Sequence, residues 1–502
     1  MARWFVDRSA QQGIPSVSLR RLLPGAQFVG CRDLQVSGCS ADSRRLDPGQ
    51  VYVAARPAGP EVRRALDRGA VGVVAEEYQP EAGSPQVVVA DAAGSYARVC
   101  QALAGDPSRS LQVVAVTGRA GKTAASRYLR SIFEADGRRC GLVTPLGWSD
   151  GVGTFAAALA GPGADGLAEM LNAMVARGCR SGVIELPDNA LADRRFEGLA
   201  IDTAIAIELG DDPEPTPGRP HGPRSRAARL FRSIASGGLA VVNADDPACE
   251  LLGAVNLGAS RIAFGLEKSA EITGTIEAVG PDGTTFTIHG LDREASVTIR
   301  GLGIDAVRAA LAAAAAAYGR GVGVDAIEAG IETVAVEPGR LEVLPAREGG
   351  PIVVLDRSRT GVELSRSLAA VRMAGFVRIV CVVGAEGHGR SADRHALAEA
   401  AEAGADQVVL TTDSPRGEDP EAILDDLLAG FRSAGRVLVE PDRRRGLESA
   451  VALARPGEAV LVAGRGRSGL QIFADHAAPF DDAAAIAEAL DRGRAARALR
   501  SA

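Results

Sequence analysis

The chain has 502 residues, with 56 Lys plus Arg against 63 Asp plus Glu and a net charge of −7. That length calls for two to four domains, and the acidic balance excludes a nucleic-acid-coating role. Seven scattered cysteines show no CxxC or Cys/His spacing, so neither a zinc site nor a disulfide framework is suggested and a reduced, cytoplasmic setting fits best.

Residues 1–110 alternate short apolar strands (Val51–Ala54, Val71–Ala75, Gln86–Ala90) with helical patterns (Glu61–Arg68, Gly94–Leu103), the signature of a small α/β unit. Asp42-Ser43-Arg44, ahead of Pro48-Gly49, places a hydroxyl and a guanidinium on one loop edge. Such a pair can take a diphosphate or uridine, or simply form a turn.

The second block, 111–335, opens on VVAVTGRAGKT, Val113–Thr123. A buried strand, a glycine turn and a helix over Ala124–Asp136 are expected there. Backbone N–H groups and the helix N-terminus can then cradle phosphate, with Lys122 on the terminal phosphates and Thr123 on Mg²⁺. Val116 stands where the first glycine of the full Walker pattern would be. Only two of the 56 basic residues are lysine, Lys122 and Lys268, so the lysine in this turn is held by chemistry that a guanidinium does not satisfy.

Downstream, a helix over Leu167–Arg177 and strands over Ser181–Glu185, Thr203–Ile207 and Leu239–Asn243 imply a mostly parallel, doubly wound sheet. Glu185 ends its strand on the ligand edge and can face Thr123 as a Mg²⁺ ligand; a solvated strand-end carboxylate is the alternative. Asp211–Gly222 reads as a lid or connection, Glu271–Ile288 as antiparallel strands, and Asp305–Tyr318 as a buried helix. No apolar run is long enough to span a bilayer, so membrane insertion is not expected.

From 336 onward, strands over Ile352–Asp356, Val377–Val383, Gln407–Thr411 and Ala459–Ala463 alternate with helices over Gly361–Met373, Asp393–Ala403, Pro420–Phe431 and Arg444–Ala454. This is another α/β sheet. TDSPRGEDP offers Asp413 and Arg416 together, suited to a zwitterionic amino acid or to capping the helix at Pro420. Arg443-Arg444-Arg445 reads as a solvated face.

Taken in order, ADSRRLDPGQVYVA, VTGRAGKT, VIELPDNAL, VVNADDP, PGRLEVL, TTDSPRGEDPEAILDDLLAG, LVAGRGRSGLQIF and APFDD resemble the motifs of the Mur ligases across nearly the whole chain. The resemblance implies a three-domain α/β architecture. An N-terminal UDP-precursor-binding domain would span 1–110 and a central ATP-binding domain with a P-loop doubly wound sheet 111–335. A Rossmann-like, amino-acid-binding C-terminal domain would span 336–502.

It also implies an ATP- and Mg²⁺-dependent ligase of peptidoglycan precursor synthesis, which adds a diaminopimelate-like third residue to UDP-N-acetylmuramoyl-L-alanyl-D-glutamate through an acyl-phosphate. The partners would be the UDP-muramoyl-peptide precursor and an amino acid, and the chain a monomer. Position by position, Ser43 and Arg44 would contact the UDP precursor. Gly118, Arg119, Ala120, Gly121, Lys122 and Thr123 would hold ATP, with Arg340 and Asp356 reaching it as well. Lys122 and Glu185 would serve catalysis, and Thr123 and Glu185 the metal. Asp413, Ser414, Pro415, Arg416 and Gly464 would take the amino acid.

The sequence departs from the family pattern at several of its chemical positions. Arg119 and Ala120 replace Thr and Asn of the phosphate loop, Asn189 stands at a histidine and Ala227 at the carbamylated lysine. Ser414 replaces the asparagine of DNPR, and Ser468 a glutamate that grips the substrate ammonium. Gly303–Val307 lacks two asparagines, and Ala160 and Gly161 stand at paired threonines. These departures set a second reading beside the first: a Mur-like protein that binds nucleotide or UDP-precursor in a regulatory or scaffolding role. A third, a ligase of altered substrate resembling the folylpolyglutamate synthases, fits the DSR segment less well.

Overall fold

The computed structural model describes residues 16–54, 59–83, 85–156, 162–210, 222–256, 258–345 and 350–501. Ala160, Gly161 and the loop 211–221 lie outside them. The chain divides into two compact units: residues through Thr273 with 290–292 and 309–330, and residues 274–289, 293–308 and 331 onward.

The first unit contains a two-stranded antiparallel pair, Val17–Ser18 with Gln35–Val36, and two larger sheets. In the smaller of these two, the strands run in the order Gln27–Val29, Gln86–Val88, Val73–Ala75, Val51–Val53, Cys39–Ser40, and only the first pairing is antiparallel. Side-chain alternation explains its two layers. Val51 and Val53 pack with Ala92 and Val99 of the helix Ala92–Leu103. Tyr52 points the other way, to Val62 and Ala65 of the helix Gly59–Asp67.

The larger sheet runs Thr154–Ala156, Gly147–Ser149, Cys140–Thr144, Ser181–Glu185, Gln112–Thr117, Ile201–Ala206, Ile234–Asn243, Ser260–Gly265. From Cys140 to Gly265 these strands are all parallel. Being covered on both faces, they read as continuous apolar runs rather than alternating ones. The chain leaves Gln112–Thr117 toward one edge and returns on the other side of it, so the strand order reverses there. Ligands of open α/β sheets bind beyond the carboxyl ends of the strands at such a reversal. The alanine-rich segment Ala309–Ala317 is buried as expected. Just past it, a Cβ on Gly319 would stand 2.6 Å from Leu239 and 2.7 Å from Ile262, so glycine is what lets that helix end lie on the sheet.

The second unit carries an antiparallel pair, Gly283–His289 with Ala295–Ile299, and a six-stranded sheet. Its order is Glu342–Val343, Ile352–Leu355, Ala459–Val462, Ile379–Val383, Gln407–Leu410, Val437–Val439, parallel throughout except at the first pairing. Helices Gly361–Met373, Ser391–Gly404 and Pro420–Ala429 cover one face. Arg443–Leu453 and Asp482–Ser501 cover the other. Thr360 and Glu363 start the first of these helices with a reciprocal capping box.

One expectation fails here. Arg443 is buried rather than solvated, because its guanidinium forms a two-pronged pair with the buried Asp482, at 2.8 and 2.6 Å. Arg444 and Arg445 do stay exposed.

Candidate functional site

The phosphate loop forms where the sequence places it. Gln112–Thr117 delivers the chain to Gly118, whose φ of +140° is open to glycine but strained for other residues. A Cβ there would stand 2.9 Å from the Glu208 carbonyl. Gly121 (φ +76°) turns the chain into the helix Lys122–Ala135, which begins two residues earlier than expected. That helix has no side-chain cap and no acidic residue in its first turn. Its leading N–H groups and its positive dipole end thus meet no carboxylate of that turn, as an anion cradle requires.

Lys122 folds back over the turn, donating from Nζ to the carbonyls of Gly118 (2.7 Å) and Arg119 (3.3 Å). Thr123 Oγ1 donates to Glu185 Oε2 at 2.8 Å. Glu185 is therefore no solvated strand end; it is buried and aimed across the strand reversal at the helix start. The adjoining wall is held by Asp246, which accepts from Leu209 N (2.7 Å) and Gly210 N (3.0 Å). Burial pushes the Asp246 carboxyl upward, but N–H bonds from Gly210, Leu209 and Ala248 outweigh it and hold the group below the usual carboxylate range. The Arg119 guanidinium stacks over Gly210 so closely that a Cβ there would meet it at 2.7 Å.

Two further positions depart from the family pattern. Asn189 is exposed, and its side-chain oxygen accepts from Ala190 N. Ala227 is wholly buried among Leu191, Leu230 and Phe231. Its neighbour Arg226 clamps Asp188 at 2.8 and 2.6 Å, tying the two helices together.

In the N-terminal sheet region of the same unit, Asp42-Ser43-Arg44 does form a turn. Arg44 is exposed and returns to Asp42 through its own N–H (2.9 Å) and Nε (3.1 Å). The Asp42 carboxyl is lowered chiefly by that guanidinium. Ser43 is buried, and its Oγ meets no partner among the described residues.

The second unit gathers the remaining predicted residues at the carboxyl edge of its sheet. Asp356, at a strand end, accepts from Leu341 N (3.0 Å), Ser358 N (3.1 Å) and Ser367 Oγ (2.7 Å). Its carboxylate thus anchors the turn that presents Arg340, half-exposed and 3.6 Å from Glu337. Asp413 is buried 3.5 Å from the guanidinium of Arg465. Ser414 Oγ receives Arg465 (3.3 Å) and Ile472 N (3.3 Å). The carbonyl of Pro415 lies so close to Gly387 that a Cβ there would overlap it. Gly464 (φ +102°) could not carry a Cβ without meeting Asp413 at 2.8 Å. The helix at Pro420 is capped by Asp419, the last residue of the loop before it, so the loop does cap that helix as the second reading of TDSPRGEDP has it.

Arg416 sits in a left-handed backbone (φ +56°) and reaches Glu386 at 3.2 Å. Glu386 also binds Arg359 at 2.8 Å. Glu386, Glu337 and Arg465 escaped the reading of the sequence. The only signal for Glu386 was its position in a glycine-rich turn, GAEGHG, directly after an apolar strand.

The family model described as the Mur ligase middle domain matches residues 116–317, and that of the Mur ligase glutamate ligase domain matches 339–466. The UDP-N-acetylmuramoyl-L-alanyl-D-glutamate–2,6-diaminopimelate ligase of Alkalilimnicola ehrlichii is 32% identical over 496 residues, covering 94% of this chain and 98% of its own. Its counterpart from Gloeobacter violaceus is 31% identical over 490 residues, covering 96% and 99%. A solved structure of a ligase of that name superposes with a TM-score of 0.70 at 24% identity, over 96% of this chain and 100% of its own. Mycobacterium tuberculosis folylpolyglutamate synthase, complexed with ADP and AMPPCP, gives 0.61 at 20% identity over 74% and 92%. At those identities the structural likeness speaks for the fold alone.

Proposed function

The chain belongs to the Mur ligase family and has its three-domain α/β fold, and from that premise we propose that it is an ATP- and Mg²⁺-dependent ligase. It joins a diaminopimelate-like amino acid to UDP-N-acetylmuramoyl-L-alanyl-D-glutamate. The observation that carries the reading is the Thr123–Glu185 pair at 2.8 Å beside Lys122 on an uncapped helix start. Curated relatives of that name, similar along nearly their whole length, supply the substrate class.

The residues present fit the nucleotide and the metal. A hydroxyl and a carboxylate are hard oxygen donors of the kind Mg²⁺ takes. Among the described residues no group of three or more His, Cys, Asp or Glu forms a self-sufficient metal cage. That suits a cation whose other ligands are phosphate oxygens and water. ATP supplies the phosphoryl group that turns the precursor carboxylate into an acyl-phosphate; the incoming amine then displaces phosphate and forms the amide.

The chain's own part is positioning and charge. Gly118 and Gly121 bring backbone N–H groups within reach of phosphate. Lys122 exchanges its hold on the Gly118 carbonyl for the terminal phosphate, and Arg119 adds a second cation at the mouth of the loop. Ser43, a buried hydroxyl without a partner among the described residues, takes the UDP end with Arg44. Asp413, Ser414, Pro415, Arg416 and Gly464 shape the amino-acid pocket. Arg340, held in place through Asp356, reaches toward the nucleotide. The domain limits expected from the sequence, 1–110, 111–335 and 336–502, remain part of this proposal, as does a cytoplasmic monomer.

A specific observation favours a second reading, a binding protein without turnover. Ala227, at the position of the family's carbamylated lysine, is a methyl group sealed in the core, so no carboxylate can be built there. Incubating the purified protein with ATP, Mg²⁺, the UDP-muramoyl-dipeptide and single amino acids, and following phosphate, separates the two. Release that depends on diaminopimelate establishes the ligase. A thermal shift with ATP or the dipeptide but no release establishes the second reading, and neither response defeats both.

A further inference from the structure

Folding brings together two cysteines that no spacing in the sequence connects. Cys39 lies on the strand Cys39–Ser40 and Cys100 on the helix Ala92–Leu103, with their Sγ atoms 3.6 Å apart. Cys100 is buried and Cys39 half-buried. The other walls are small or aromatic: Ala97, Ala164 and Ala168 pack around Cys100, with Tyr96 beside it. By contrast, the thiols of Cys140 and Cys179 donate to backbone carbonyls at 3.3 and 3.0 Å.

We propose that Cys39 and Cys100 form a thiol-oxidation site that closes to a disulfide on exposure to a peroxide. A disulfide requires sulfurs about 2.0 Å apart, so closure needs an approach of roughly 1.5 Å, within reach of small side-chain rotations. Among the described residues no third His, Cys, Asp or Glu forms a metal-holding group with the two sulfurs.

The partial exposure of Cys39 makes it the entry point. Its sulfur attacks one peroxide oxygen and the O–O bond breaks, leaving a sulfenic acid on Cys39 and one water. The Cys100 sulfur then attacks the Cys39 sulfur, the S–O bond breaks, and a second water leaves with the Cys100 proton. Two thiols lose two protons and two electrons while one peroxide becomes two waters, and a dithiol reductant reverses the change.

The location gives the reaction a consequence. Ser40, next to Cys39, holds the following turn by donating to Asp42 O (3.0 Å) and accepting from Asp42 N (3.1 Å). The turn continues into Ser43 and Arg44. A bond from Cys39 to Cys100 therefore ties the base of that turn to the helix Ala92–Leu103.

The test uses the full chain, treated with a few equivalents of hydrogen peroxide, alkylated and digested without reduction. We expect one cross-linked peptide joining Cys39 and Cys100, two hydrogens lighter than its parts. The thiol count in denaturant falls from seven to five, and dithiothreitol restores it. Cys39→Ser, starting from six, keeps all six; Cys100→Ser, also starting from six, forms no cross-linked peptide and loses only the Cys39 thiol, which stops at the sulfenic acid. Retention of seven thiols under peroxide overturns the proposal. So does sulfinic acid at Cys39 with Cys100 still alkylated, or a cross-link between other cysteines. If either variant fails to fold, the wild-type peptide map decides alone. None of these readouts depends on the ligase reading.

Discussion

At the residue scale, the phosphate loop has a single ammonium, and Lys122 is satisfied by two carbonyls it must give up to bind an anion. Lys122→Ala removes the only ammonium of the loop, and the affinity for Mg²⁺-ATP should fall on the order of 100-fold, read by calorimetry. Glu185→Gln should keep the Thr123 hydrogen bond and the fold while weakening the Mg²⁺ dependence of that binding. A second residue pair sets an acid limit. The Arg394 guanidinium, 2.7 Å from both oxygens of Glu418, is the main reason that carboxyl falls from 4.5 to about 2. A folded-state pKa below the unfolded one stabilises the protein above the unfolded value and ceases to as pH falls through the folded one. The contribution is therefore complete above about pH 4.5 and lost toward pH 2. Glu418→Gln should flatten the stability profile in that window and leave its slope above pH 5 unchanged, as followed by denaturant unfolding at stepped pH.

At the element scale, periodicity located most helices and strands to within two or three residues. The strand Ser181–Glu185 and the helix Gly361–Met373 were legible to the residue, because apolar runs bounded by turn or capping residues leave few alternatives. Partners distant in sequence were not legible. Nothing in the run Arg443-Arg444-Arg445 says that the first faces Asp482, 39 residues on, while the others face water. Nor does any spacing bring Glu386 between Arg359 and Arg416. The buried Arg443–Asp482 pair joins the two helices on one face of the C-terminal sheet, and Arg465 Nε lies 3.5 Å from the same carboxylate. Removing Arg443 leaves the buried Asp482 with only the more distant Arg465, and breaking a buried pair in this way costs about 3–5 kcal/mol. Arg443→Met alone should therefore destabilise the second unit by about that much in denaturant unfolding. Replacing Arg443 and Asp482 together with apolar residues should cost less than the sum of the two single changes.

At the scale of the whole molecule, the composition that first drew attention to the phosphate loop also supplies a clean test of it. Arginine has displaced lysine almost everywhere, leaving Lys122 and Lys268 among 56 basic residues. Lys268 is exposed, and its backbone N–H caps Asp245 in a turn beyond the strand Ser260–Gly265. Lys122 is half-buried over the glycine turn. An amine-reactive reagent thus meets two side-chain amines in the entire chain, one at the proposed phosphate site and one at a surface turn. If Lys122 leaves the Gly118 carbonyl to hold a terminal phosphate, Mg²⁺-ATP should protect it from acylation while Lys268 reacts at an unchanged rate. ADP should protect less than ATP, since the contact proposed for the ammonium is with the terminal phosphate that ADP lacks. Peptide mapping after timed acetylation reads both amines in one sample, so a change in global folding would move both rates together. Equal acetylation of Lys122 with and without nucleotide would remove the phosphate role from this loop, however well the surrounding fold matches the family.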